Sequence, residues 1–131
     1  MSIHVMLKAY EAANPPRLER FLPLFVGQER EIRHISMVPH IHAWLHKPVQ
    51  NQRLQEVKSA ARVHFGEFVK ENHIDDCQFM KQIEDRRGGS KFGHGVWSFR
   101  PLFEPQHRFF GVFACPDWVL ILSKQPARYI N

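Results

Sequence analysis

The chain has 131 residues, a formal net charge of +5, 44% hydrophobic and 24% charged residues, which suits one soluble globular domain with one core. No apolar run approaches the roughly 20 residues of a membrane helix. The start, Met-Ser-Ile-His-Val, lacks the layout of a signal peptide, and the two cysteines, Cys77 and Cys115, without C-x-x-C spacing, are expected as reduced thiols of a cytoplasmic protein.

The charge is unevenly spread. Residues 1–85 hold equal numbers of basic and acidic side chains. The remainder carries Arg86, Arg87, Lys91, Arg100, Arg108, Lys124 and Arg128 against Glu104 and Asp117, so the whole excess of five lies there. Such a field attracts phosphate or an acidic protein.

In chain order, Ile3, Val5 and Leu7 alternate with His4, Met6 and Lys8. That is the period of a half-buried strand, although Ala9–Ala13 also suits a helix. Asn14-Pro15 suits a helix start. Leu18, Phe21, Leu22 and Phe25 then keep helical spacing, Pro23 kinks or stops it, and Gly27 ends it. Glu29 to Val38 fits neither template and is expected to be extended. His40, His42 and His46 have no carboxylate or thiolate beside them in sequence, so they are expected as surface histidines flanking a buried Trp44 and Leu45 rather than a metal site.

The strongest helix runs from Val49 to Asn72. Leu54, Val57, Ala61, Phe65 and Phe68 form one stripe, while Gln52, Arg53, Gln55, Glu56, Lys58, Arg62 and Glu67 fill the other side. The stripe is expected to lie across a sheet and cover Trp97 or Phe109. Its residues supply about 1.5–3 kcal/mol each as large side chains are buried. A shorter helix is expected after it, capped by Asp75, with Phe79, Met80 and Ile83 apolar and Arg86-Arg87 in its last turn. Gly88-Gly89 stops it. The Gly-rich stretch to Gly95 lacks phosphate-loop spacing.

Three strands follow: Gly95–Phe103, His107–Phe113 and Asp117–Leu122, rich in aromatic and β-branched residues. Alternation puts Val96, Ser98 and Arg100 on one side of the first, and Arg108 with Phe110 opposite Phe109 on the second. Phe110 and Trp118 are expected in the core, or stacked on a base if exposed. The expected fold is α+β and one domain: an N-terminal extension (1–38), a mainly helical part (39–87) and a β-meander (88–131).

Gly95-Val-Trp-Ser-Phe-Arg100, His107-Arg-Phe-Phe-Gly-Val-Phe113 and Trp118-Val-Leu-Ile-Leu-Ser-Lys124 together resemble the sheet motifs of the RelE/ParE toxin superfamily, notably its HigB-like and phage-derived members. His42-Ala-Trp-Leu45 is similar to the helix-opening F-x-x-W-L of that group. The resemblance covers about residues 40–124. It implies amphipathic helices on a small twisted antiparallel sheet and a toxin–antitoxin role with a cognate antitoxin. It further implies either endoribonuclease action on ribosome-bound mRNA or binding to gyrase. Cleavage would need no metal or cofactor: the RNA 2′-hydroxyl attacks the neighbouring phosphate. Arg100 and Arg108 match the motif arginines that would hold the phosphate. Lys91 would add charge and His94 would move a proton. Arg86, Arg87, Lys124 and Arg128 would extend the nucleic-acid-binding surface. Two other readings stand beside the toxin: a non-enzymatic, repurposed binder on the same fold, and a phage- or plasmid-derived structural protein meeting an acidic partner.

Overall fold

The computed structural model describes residues 2–70, 95–100 and 107–125, and the backbone of 80–82 and 126. These form α1 (Ile3–Ala12), β1 (Glu19–Arg20), β2 (His34–Met37), α2 (Pro39–His46), α3 (Gln52–Lys70), β3 (Met80–Gln82), β4 (Val96–Phe99), β5 (His107–Cys115) and β6 (Trp118–Pro126). The strands make one sheet in the order β1-β2-β6-β5-β4-β3, so the fold is α+β. No helix among the described residues is long and apolar enough to cross a membrane.

The core lies between one face of the sheet and the pair α2, α3. Along β5 and β6 the residues Phe109, Val119 and Ile121 point inward and are fully buried, as are Ile35 and Met37 of β2. Phe65 of α3 meets Phe109 edge-on at 5.3 Å between ring centroids, and Phe68 meets Phe99 at 6.2 Å. The helix stripe thus covers Phe109 as its spacing predicts, while half-buried Trp97 packs edge-on against Phe113. A second, smaller cluster, Leu7, Leu18 and Trp118, lies on the other face of the sheet under α1.

Several expectations are corrected. The first residues are helical, not extended. The Ser2 hydroxyl accepts from the Val5 amide at 3.2 Å and caps α1. Leu7 is the helix's buried residue, while Ile3 and Val5, which suggested alternation, are exposed. No helix follows Asn14-Pro15. Leu18 lies in the outer cluster and Phe21 in the inner core, and the residues between them, Glu19 and Arg20, form β1 against Met37 and Ser36. An alternating strand reaches both layers at once, which a helical stripe does not.

The sheet is mixed rather than purely antiparallel, because β2 runs parallel to β6, with His34 across from Trp118 and Met37 from Ile121. An uncovered β6 edge would leave a row of backbone groups unpaired, and the expected extended segment 34–37 supplies the partners. Residues 1–38 therefore contribute two strands and a covering helix to the same sheet. Met80–Gln82 is a strand paired with β4, where a helix from Asp75 was expected. The rest of that segment lies outside the described residues. On α3, Lys58 belongs to the buried side rather than the polar one, with 1% of its surface exposed.

Candidate functional site

The pairing of β4 with β5 sets the site. Phe99 stands across from Phe109 and Ser98 from Phe110. Arg100 follows the last paired residue of β4, and the same antiparallel register continued by one step leads to Arg108. Phe99 and Phe109 face the core, so alternation sends Ser98, Arg100, Arg108 and Phe110 to the opposite face. On β6, Gln125 stands across from Arg108 and Ser123 from Phe110, widening this polar strip. The helix α1 packs elsewhere on that face, over Leu18, Trp118 and Leu120.

The strip holds unsatisfied donors. Ser98 is 7% exposed. Its hydroxyl and the Nε groups of Arg100 and Arg108 are buried with no hydrogen-bond partner among the described residues. A buried polar group without a partner costs about 1–3 kcal/mol. Three such groups fall on one face by alternation, and two of them belong to permanently cationic side chains. A guanidinium offers a planar fork of N–H groups to an anion with several oxygens. Phe110, half-buried and across from Ser98 on one side and Ser123 on the other, adds an apolar ring to the strip.

The other candidate residues separate from this pair. Lys124 stands across from Phe109 and so faces the core side, with its ammonium 4.2 Å from the centre of the Trp44 ring. Lys58 stands over the same ring at 4.7 Å. Burial lowers the pKa of Lys124. The pKa of Lys58 is lowered first by burial and then by the charges of Lys124, Lys47 and Arg62. These cations serve the fold: Lys58 donates to the Lys47 carbonyl at 2.8 Å and Arg62 to the Leu45 carbonyl at 2.7 Å, closing the C-terminus of α2. Arg86, Arg87, Lys91, His94 and Arg128 lie outside the described residues. Trp118 is buried, as expected, and its indole donates to Ser36 at 2.9 Å.

The histidines of α2 do not converge. His42 bonds Glu19 at 2.8 Å, His46 bonds the His42 carbonyl at 2.8 Å, and the two rings stack at 4.3 Å. Burial, then the neighbouring His46, lowers the His42 pKa, against the pull of Glu19. Glu19 joins His42 only because β1 forms, which the sequence spacing does not announce. A groove of about 500 Å³ between Phe21, Leu22, Pro23 and the Val63–Gly66 side of α3 is mainly apolar. Two cations at its wall are committed elsewhere, Arg62 to Leu45 and Lys70 to Leu24 and Glu29.

No protein-family model matches the chain, and no curated protein or solved structure matches it.

Proposed function

We propose that the protein is a phosphate-recognising RNA-binding protein of the RelE/ParE-like toxin type, acting as a metal-independent endoribonuclease on ribosome-bound mRNA. The observation that carries this reading is that the register of β4 on β5 aligns the sheet face of Ser98 with that of Arg108 and runs on towards Arg100, and that a buried donor of each lacks a partner among the described residues. Those groups suit a phosphodiester whose negative charge grows during reaction. In the step, the 2′-oxygen bonds to phosphorus while the bond to the 5′-oxygen breaks. One proton leaves the 2′-hydroxyl and one reaches the departing oxygen. Arg100 and Arg108 hold the non-bridging oxygens; Lys91 and His94, which precede the first motif, are the sequence candidates for the charge and proton work by their side-chain chemistry.

Inducible expression with mapping of mRNA ends on ribosomes tests this. Growth arrest with new cleavage ends, both lost in Arg100→Ala and Arg108→Ala, is the expected result. Arrest that persists unchanged in both variants would remove the proposed site. RNA binding without cleavage would reduce the protein to a binder on the same face.

A further inference from the structure

We infer that His4, Cys115 and Asp117 form a zinc site that staples α1 to the hairpin turn between β5 and β6. Three different donors converge there. His4 Nε2 lies 3.2 Å from Asp117 Oδ1, Cys115 Sγ lies 3.2 Å from the same oxygen, and Sγ lies 3.5 Å from His4 Nε2. Tetrahedral zinc bonds nitrogen and oxygen at about 2.0–2.2 Å and sulfur at about 2.3 Å, which spaces nitrogen and oxygen about 3.3–3.6 Å apart and sulfur about 3.5–3.7 Å from either. The triangle therefore has nearly the dimensions of one face of a zinc tetrahedron.

The arrangement differs from a nucleophilic triad. There, the histidine uses one ring nitrogen for the nucleophile and the other for the carboxylate. Here the same nitrogen, Nε2, faces both the thiol and the carboxylate. Convergence on one point suits a cation. The side chains of His4 and Asp117 are 47% and 44% exposed, so an ion has access and a fourth position faces water. Mixed nitrogen, sulfur and oxygen donors favour zinc over the hard, oxygen-seeking cations.

The surroundings hold the donors in place. The Ser2 cap sets the first turn of α1, where His4 lies. The His34 amide donates to the Asp117 carbonyl at 2.7 Å and pins the turn. The His4 ring rests on Trp118, 5.4 Å between centroids. Leu7 is the helix's buried residue, so a metal bond at His4 would add a second anchor near its start. Cys115 lies seven residues along β5 from Arg108, about 23 Å at strand spacing, so the two sites are independent.

Titration of the full chain carrying Cys77→Ser with cobalt(II), then zinc, tests the site. One cobalt per chain is expected, with tetrahedral absorption and a thiolate-to-metal band that zinc displaces. Affinity should fall at least about tenfold in each of His4→Ala, Cys115→Ser and Asp117→Asn. Amide hydrogen exchange of the Cys77→Ser protein gives a readout that needs no ligand variant: zinc should slow exchange across residues 3–12. Absence of the thiolate band, a band insensitive to His4→Ala and Asp117→Asn, or exchange in α1 unchanged by zinc would each overturn the proposal.

Discussion

Arg20 grips Glu11 with two parallel hydrogen bonds, 2.8 Å from Nε and 2.9 Å from Nη2. It thereby ties the helix on the outer face to the edge strand beneath it. The same guanidinium lies 4.4 Å from the centre of the Trp118 ring and donates to Glu31 at 3.0 Å. Ser36 donates to Glu11 at 2.8 Å and accepts from Trp118, so one carboxylate organises β1, β2 and β6 together.

Glu11→Ala should therefore be costly. It leaves a mostly buried arginine half-paired and Ser36 without its acceptor. Loss of one partner of a buried ion pair costs about 3–5 kcal/mol; because Glu31 remains, the low end is expected. Urea denaturation at neutral pH measures it. A double variant with Arg20→Met should recover part of the loss, and strict additivity of the two would count against the pair.

Gly111 predicts a steric effect. It lies in β5 at a register shift, across from Ile121. A Cβ there would stand 2.5 Å from the Leu120 carbonyl oxygen and 3.0 Å from the Ile121 side chain. Backbone cannot yield as a flexible side chain does, so Gly111→Ala should lose about 1–3 kcal/mol by overpacking. A denaturation midpoint equal to the parent's would show that the strands separate more easily than this packing allows.

Lys58 predicts a pH dependence. Burial and neighbouring cations hold its pKa below the ordinary 10.5. Below the folded-state value the lysine is charged in both states, and the full penalty applies. Between the folded and unfolded values the unfolded chain binds more protons, so stability rises with pH. Thermal midpoints should therefore climb as pH increases towards 10.5. Lys58→Met should reduce that climb, Lys124 supplying what remains. Identical slopes in parent and variant would contradict the burial of this ammonium.

The arginine pair predicts a salt signature. For single-stranded RNA, Arg100→Ala and Arg108→Ala should each weaken binding about tenfold, or about 1.4 kcal/mol. Each should also flatten the dependence of log affinity on log salt by about 0.7. Lys124→Ala should change neither, since that side chain sits over Trp44 on the other face. Filter binding at several salt concentrations separates the three. A larger effect from Lys124 than from the arginines would mean that RNA meets the opposite face.

The amino-acid order alone determined the parts whose partners are close in sequence. The stripe from Val57 to Phe68 marked α3, and alternation in 96–100 and 107–113 put Ser98 and Arg100 on one side and Arg108 with Phe110 on one side. Both are local periodicities, which any chain of this order expresses wherever it packs. What joined those two sides into one face was the register of β4 on β5. Tertiary structure alone decided the rest. It made the first residues a helix rather than a strand, since only the outer sheet face gives Leu7 and Glu11 something to meet. It placed β2 parallel to β6, buried Lys58 against carbonyls of α2, and carried Lys124 to the far side. It also set His4 beside Cys115, 111 positions away. Contacts of that separation leave no period in the sequence, because they depend on where whole elements are brought to rest and not on the spacing within any one of them.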